Sequence, residues 1–135
     1  MKPYLTMAAG LLGGLALAGT AQAQDAARGK ILFQSECAAC HSAVPGQNGI
    51  GPSLAGVYDM RAGMVPGYHY SVQLKNSNIV WTDAELNKFL MSPAVVVAGT
   101  KMPQPGTEMH MGVPSDQDRG DLIAYLRSLK QQQEQ

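Results

Sequence analysis

A small, single, all-α domain is the fold this sequence predicts, on three observations. Leu122, Tyr125, Leu126 and Leu129 recur at i, i+3, i+4 and i+7, which lays one apolar stripe along a helix. Thr82 with Glu85, and Ser115 with Asp118, are helix-capping patterns, each standing just ahead of an apolar-periodic run. No strand-period segment of useful length occurs, because Val95-Val96-Val97, the only β-branched run, is too short to establish a sheet.

The chain opens with an address label that is set apart from the fold. Lys2 supplies a positive start, an apolar run follows from Leu5 to Ala18, and Ala21-Gln22-Ala23 gives the small-residue pattern at which signal peptidase cuts. The competing reading is an uncleaved membrane anchor. That run is shorter than the roughly 20 apolar residues a spanning helix needs, and it ends in a good cleavage site. Residues 1–23 are therefore expected to be an export signal, with the mature domain covering 24–135. About 110 residues make one domain, in the size range where a single core is only modestly stable by itself.

Charge excludes one class of partner. The chain has 10 Lys+Arg against 10 Asp+Glu, and removal of Lys2 leaves 9 against 10. No Lys/Arg cluster forms a basic face, so nucleic acid is not expected.

The mature chain then divides into elements. Asp25 to Cys40 is predicted as a helix with Ile31, Phe33 and nearby alanines on its apolar side. Pro45-Gly46 and Gly51-Pro52 mark Val44 to Pro66 as loop, and a short helical turn follows around Ser71 to Lys75. Thr82 opens a helix with Leu86, Phe89 and Leu90 on one face and Pro93 near its end. Ser115 opens the last and strongest helix, whose Gln-rich tail is expected to fray.

Chemistry concentrates at the end of the first predicted helix. Cys37-Ala38-Ala39-Cys40-His41 matches the C-x-x-C-H signature of c-type haem attachment. Two thiols so spaced on a helical turn reach the two vinyl groups along one edge of a haem, and the next residue places an imidazole under the iron. His41 is then the proximal ligand, and its second ring nitrogen donates the hydrogen bond that fixes its orientation. Three other readings of the pair compete. A disulfide between Cys37 and Cys40 would close a very small loop and stabilise little. Zinc would need two more ligands, while His69 and His110 are isolated. A redox dithiol would call for a βαβ context that this chain lacks.

The sixth coordination position separates an electron carrier from a reaction site, since a methionine there fills it and raises the potential. Of the eight Met residues, Met1 and Met7 belong to the export segment, and Met60, Met64, Met91, Met102, Met109 and Met111 remain. Met91 sits in a helical pattern, where packing is the ordinary role of Met. Met102 follows Gly99-Thr100-Lys101 and precedes Pro103, in a stretch that cannot be helix and would lie extended across a haem face.

Taken together the residues resemble the class I c-type cytochromes, and among them the bacterial relatives of mitochondrial cytochrome c. The likeness spans nearly the whole mature chain. It is carried by Gly29 and Phe33, the CAACH site, Gly51-Pro52-Ser53-Leu54 with Gly56, Pro66-Gly67-Tyr68 with Tyr70, Trp81, Pro93, Gly99-Thr100-Lys101-Met102, and Asp121 through Leu126. The resemblance implies helices and loops wrapped around one covalent haem c, with Met102 as distal ligand and the Pro52 carbonyl accepting from His41. It further implies that Tyr70, Trp81 and Thr100 hydrogen-bond the haem propionates, whereas Tyr70 and Trp81 read as residues alone are more readily ordinary core aromatics. Gly29 matches the small residue where the first and last helices cross, with Tyr125 packing there.

Three departures from the family stand out. Phe89 occupies the place of a tyrosine near the methionine sulfur, which removes a hydroxyl donor. Met60 stands where an arginine is expected near the propionates, with Arg61 one position later. An extra stretch, Pro103 to Pro114, contains Met109-His110-Met111, which reads as an exposed loop or as a partner or soft-metal contact.

The function so implied is a periplasmic, monomeric single-electron carrier with no catalytic residues. It would take electrons from a membrane complex or dehydrogenase and pass them to an oxidase, reductase or reaction centre, in a respiratory or photosynthetic chain. The alternatives are a haem-containing subunit of a larger oxidoreductase, or a haem enzyme or ligand sensor. Lys30, Lys75, Lys88, Lys101 and Lys130 are scattered, so docking is expected to rest more on apolar contact than on long-range steering.

Overall fold

The first helix owes its start to Asp25, whose carboxylate accepts from the backbone N–H groups of Ala27 at 2.8 Å and Arg28 at 3.1 Å. The computed structural model describes residues 23–102 and 112–135. Its helices are α1 (Ala26–Leu32), α2 (Val72–Lys75), α3 (Asp83–Met91), α4 (Pro93–Val96) and α5 (Asp116–Gln133), with a π-helical segment, Phe33–Cys37, directly after α1. The expected export segment lies outside the described residues apart from Ala23, as does the Met109-His110-Met111 stretch within 103–111. Among the described residues the only β pairing is an isolated antiparallel bridge between Arg61 and Val80.

The helix expected from Asp25 to Cys40 is thus divided. Ala38 N–H donates to Phe33 O at 2.9 Å, five residues back, which widens the turn that delivers Cys37. One expectation fails on α1: Ile31 is 66% exposed, whereas Phe33 is buried. The reason is rotational. The buried side of α1 is set by Gly29 and Phe33, four residues apart, and Ile31 lies about 200° around the axis from Gly29.

That buried side crosses α5. A Cβ on Gly29 would overlap the Asp121 carbonyl and come within 2.9 Å of the Tyr125 Cβ. Phe33 meets the Tyr125 ring edge-on, with centroids 5.5 Å apart. Leu122, Ile123, Leu126 and Leu129 of α5 pack with Phe33, Val57, Trp81, Leu86, Phe89 and Leu90 in one core. The three leucines and the tyrosine that predicted the α5 stripe are all buried, so the periodicity found the right face.

Helix ends follow the expected capping residues. Thr82 Oγ1 accepts from Glu85 N–H at 3.4 Å, and Ser115 Oγ accepts from Asp118 N–H at 3.2 Å. Glu85 does not complete a reciprocal box but pairs with Lys88 at 2.8 Å. Ser71 Oγ caps α2 through Leu74 N–H at 3.2 Å. Pro93 begins α4 at a first-turn position, where its missing N–H costs nothing. The Gln-rich tail expected to fray instead stays helical to Gln133, whose side chain donates to Leu129 O at 3.5 Å and lies over Gly56.

Candidate functional site

Three stretches of chain meet around a cavity of about 310 Å³. The turn after the π-helical segment contributes Cys37, Cys40 and His41, the following loop contributes Pro52, and the stretch after α4 contributes Thr100 and Met102. Tyr70 and Trp81 line it as well, so all eight side chains singled out from the sequence share one cavity. Leu54, Val57, Leu86, Phe89, Leu90 and Leu126 make the remaining wall apolar.

His41 is the most constrained of these groups. Its Nδ1 lies 2.7 Å from the Pro52 carbonyl oxygen. A carbonyl can only accept, so Nδ1 carries the proton and Nε2 keeps its lone pair. Burial lowers the imidazole's pKa and outweighs the opposing pull of the Pro52 carbonyl, which keeps the ring neutral. Gly51 packs against the same ring: a Cβ there would lie 2.7 Å from Nδ1 and 2.9 Å from Nε2. Gly51 N–H in turn donates to Cys40 O at 2.8 Å, holding that backbone in place.

The loop bearing Pro52 is pinned from several sides. Ser53, 1% exposed, donates its hydroxyl to Val44 O at 2.7 Å, and Leu54 N–H donates to Ser42 O at 2.8 Å. Asn48 accepts from Ser53 N–H at 2.9 Å and donates to Pro66 O at 2.9 Å, joining this loop to the next. Tyr68 closes the same side, donating its hydroxyl to Ile50 O at 2.8 Å and meeting Tyr70 edge-on at 4.8 Å. Burial pushes the Tyr70 hydroxyl up to about 12, against a smaller opposing effect of its bond with the Val65 backbone. It is therefore a neutral donor at every working pH.

Cys37 and Cys40 are not joined to each other. Burial, with Glu36 alongside, pushes the Cys37 thiol up to about 11. A redox dithiol needs the reverse shift, so the geometry disfavours that reading. Among the described residues no three His, Cys, Asp or Glu side chains converge as a metal site, which falls short of the four ligands a structural zinc takes.

Elsewhere on the cavity lining, Thr100 Oγ1 accepts from Met102 N–H at 3.4 Å and steadies the turn that carries the thioether. Phe89 tilts against Trp81 with ring centroids 4.9 Å apart, and its ring brings carbon alone to the cavity wall. Arg61 is directed elsewhere: it bonds the Asn78 side-chain oxygen and is absent from the cavity lining.

The sequence did not single out four residues that shape this site. Tyr68 and Gly51 stood in recognisable strings, but their contacts with Ile50 and His41 had no pattern of their own. Asn48 lay in a turn-rich stretch where an Asn is ordinary. Arg119, only 2% exposed, reads as a polar helix residue yet donates to Val113 O at 2.7 Å and Pro114 O at 2.8 Å, where the chain returns from Met102.

The residues present fit a covalent haem. An apolar cavity carries two thiols three residues apart in sequence, an imidazole with a free nitrogen lone pair, a thioether, and a few hydroxyl and indole donors.

Comparison with known proteins points the same way. The chain matches the cytochrome c family over residues 26–130. It is 49% identical over 106 residues to cytochrome c of Euglena viridis, covering 78% of this chain and 98% of that one. It is 44% identical over 112 residues to cytochrome c2 of Rhodopila globiformis, covering 83% and 100%. Among solved structures, cytochrome cH from Methylobacterium extorquens superposes with a TM-score of 0.68 at 38% identity, covering 77% of this chain and 98% of that one.

Proposed function

Because the chain belongs to the cytochrome c family and holds one haem c covalently through Cys37 and Cys40, we propose that it is a periplasmic one-electron carrier with His41 and Met102 as the two iron ligands. The haem supplies the chemistry, gaining and losing a single electron at its iron. The protein's part is to hold, orient and shield it.

One observation carries this reading: His41 and Met102 line the same cavity, and His41 has Nδ1 committed to Pro52 with Nε2 left as a base. With haem bound, His41 and Met102 would hold the iron from within the chain, which would leave no position there for a substrate. The Pro52 carbonyl fixes the plane of the imidazole and raises its basicity. Tyr70, Trp81 and Thr100 are assigned to the propionates, and support comes from their place on the lining and from Tyr70 staying protonated. The apolar wall of Leu86, Phe89, Leu90 and Leu126 would keep water from a bound haem.

Export rests on the sequence of residues 1–23, with cleavage between Ala23 and Gln24. The donors are membrane complexes or dehydrogenases and the acceptors are oxidases, reductases or reaction centres, met transiently by a monomer.

Potentiometric titration with optical spectra, on the parent and on Met102→Ala, tests the ligand set. The parent should show a low-spin spectrum with the weak far-red band of thioether-to-ferric coordination, and the variant should lose that band and drop in potential. A variant with unchanged spectra would sink the Met102 assignment.

A further inference from the structure

Asn48 and His41 never touch, yet they bond opposite ends of one peptide unit. Pro52 contributes the carbonyl of that unit and Ser53 its N–H. The oxygen accepts from His41 Nδ1 at 2.7 Å, and the N–H donates to Asn48 Oδ1 at 2.9 Å. The orientation of the Asn48 amide is fixed by its neighbours: Ser53 N–H requires an oxygen opposite it, and the Pro66 carbonyl, 2.9 Å away, requires the NH2.

We propose that Asn48 is a positioning residue for His41, acting through the Pro52–Ser53 peptide to strengthen the Pro52 carbonyl as an acceptor and so lower the reduction potential of the haem. The inference rests on His41 being an iron ligand. Peptide resonance links the two ends: when the N–H is bound to an acceptor, electron density shifts onto the carbonyl oxygen. Hydrogen bonds in such a chain strengthen one another by about 10 to 30% each. A stronger acceptor draws the Nδ1 proton away from the ring and makes Nε2 the better donor, which favours the ferric state. The second bond of Asn48, to Pro66, holds the amide so that Oδ1 stays on Ser53.

A bland role competes, in which Asn48 merely staples two loops. Two variants separate the roles, read on holoprotein by the reduction potential, by the His41 Nδ1–H proton resonance in the diamagnetic reduced form, and by the thermal midpoint. Asn48→Ala removes both bonds. It should raise the potential, move the Nδ1–H resonance upfield and speed its exchange with solvent. Asn48→Asp keeps an acceptor for Ser53 N–H but turns a carboxylate oxygen toward the Pro66 carbonyl. It should lose thermal stability while the potential and the Nδ1–H resonance stay at, or move beyond, the parent values in the direction opposite to Asn48→Ala.

An Asn48→Ala protein with the parent's potential and resonance but a lower midpoint would overturn the proposal and leave only the staple. Should Asn48→Ala fail to mature, Asn48→Asp decides: a retained Nδ1–H resonance supports the proposal, and its loss overturns it. In the parent itself, oxidised-state His41 ring resonances without paramagnetic shifts would overturn the ligand assignment, an outcome distinct from failure of the Asn48 comparison.

Discussion

The backbone of Gly51 packs against the imidazole of His41 so closely that a Cβ would fall 2.7 Å from Nδ1 and 2.9 Å from Nε2. The demand is for space, since Gly51 does not have the positive φ that would favour glycine by itself. Neither partner can retreat: Gly51 N–H is held by Cys40 O at 2.8 Å, and His41 by Pro52 O at 2.7 Å. Gly51→Ala should therefore push the ring off Pro52 and cost about 1 to 3 kcal/mol, the usual range for overpacking. Thermal unfolding of the holoprotein together with its ferric spectrum checks this. A variant with the parent's midpoint and an undisturbed low-spin spectrum would contradict the packing argument.

Asp121 sets how the α1–α5 crossing responds to acid. Its side chain has no exposure, and burial alone would raise its carboxyl. The bonds from Asp25 N–H at 2.7 Å, from Arg28, and from Gln117 at 2.9 Å outweigh that effect and hold it below the ordinary carboxylate range. A depressed folded-state pKa means stability that is present above the unfolded value of about 3.9 and is lost as pH falls below it, toward the folded value. Asp121→Asn should be less stable at neutral pH, with its thermal midpoint converging on the parent's below about pH 4. Asp83 is also held low, burial notwithstanding, by Tyr58 and Arg127, so a residual acid slope persists in the variant. Parallel midpoint curves for the two proteins across that range would refute the assignment.

What could be read from sequence was whatever one local segment encodes. The stripe of Leu122, Tyr125, Leu126 and Leu129 identified the buried face of α5, and the spacing from Cys37 to His41 identified the chemistry. The eight site residues fall on one cavity because two kinds of local signal, a motif and an ordered family series, located them independently of tertiary contact. The readings that failed depended on neighbours far along the chain. Ile31 looks like a core residue until Gly29 and Phe33 fix which side of α1 meets α5. The tail at Gln133 looks like a fraying end until it is laid over Gly56. The widened turn at Phe33–Cys37 has no sequence mark, because the choice of an N–H five residues on over one four residues on is a tertiary decision.

Arg119 is the costliest of these illegible residues to remove. Its guanidinium donates to Asn87 Oδ1 at 2.7 Å, to Val113 O at 2.7 Å and to Pro114 O at 2.8 Å, and it pairs with Asp116. A lysine could not serve that spread of acceptors from one ammonium group. Arg119→Leu leaves two carbonyls without their charged donor and should lower stability by roughly 2 to 4 kcal/mol. The damage should also reach the haem face, since Val113 N–H donates to Leu90 O at 2.7 Å where the chain comes back from Met102. On heating, the far-red band of methionine ligation should disappear well before the helical signal in the variant, and closer to it in the parent. Urea unfolding and a spectral melt are the measurements, and coincident losses in both proteins would argue against the second effect.

Docking should depend only weakly on salt, because among the described residues two side chains of fixed charge line the cavity, and they oppose each other. Glu36 is negative, Lys101 is positive, and Lys101 is tied down by donating to His69 O at 2.7 Å. His41 adds nothing, since its half-buried ring is held neutral. Long-range attraction needs a one-signed field, and two opposite charges at one opening largely cancel beyond a Debye length. Apolar contact is left as the main attraction, and Ile50, 55% exposed on the cavity lining, is the side chain best placed to supply it. The second-order rate of electron transfer with a physiological partner should therefore change by less than about tenfold between low and high ionic strength. Ile50→Ser should slow the reaction more than Lys101→Gln does, since removal of a buried apolar anchor outweighs loss of a rim charge. A fall of several decades with salt, or a larger effect of the lysine, would mean that charge guides this surface after all.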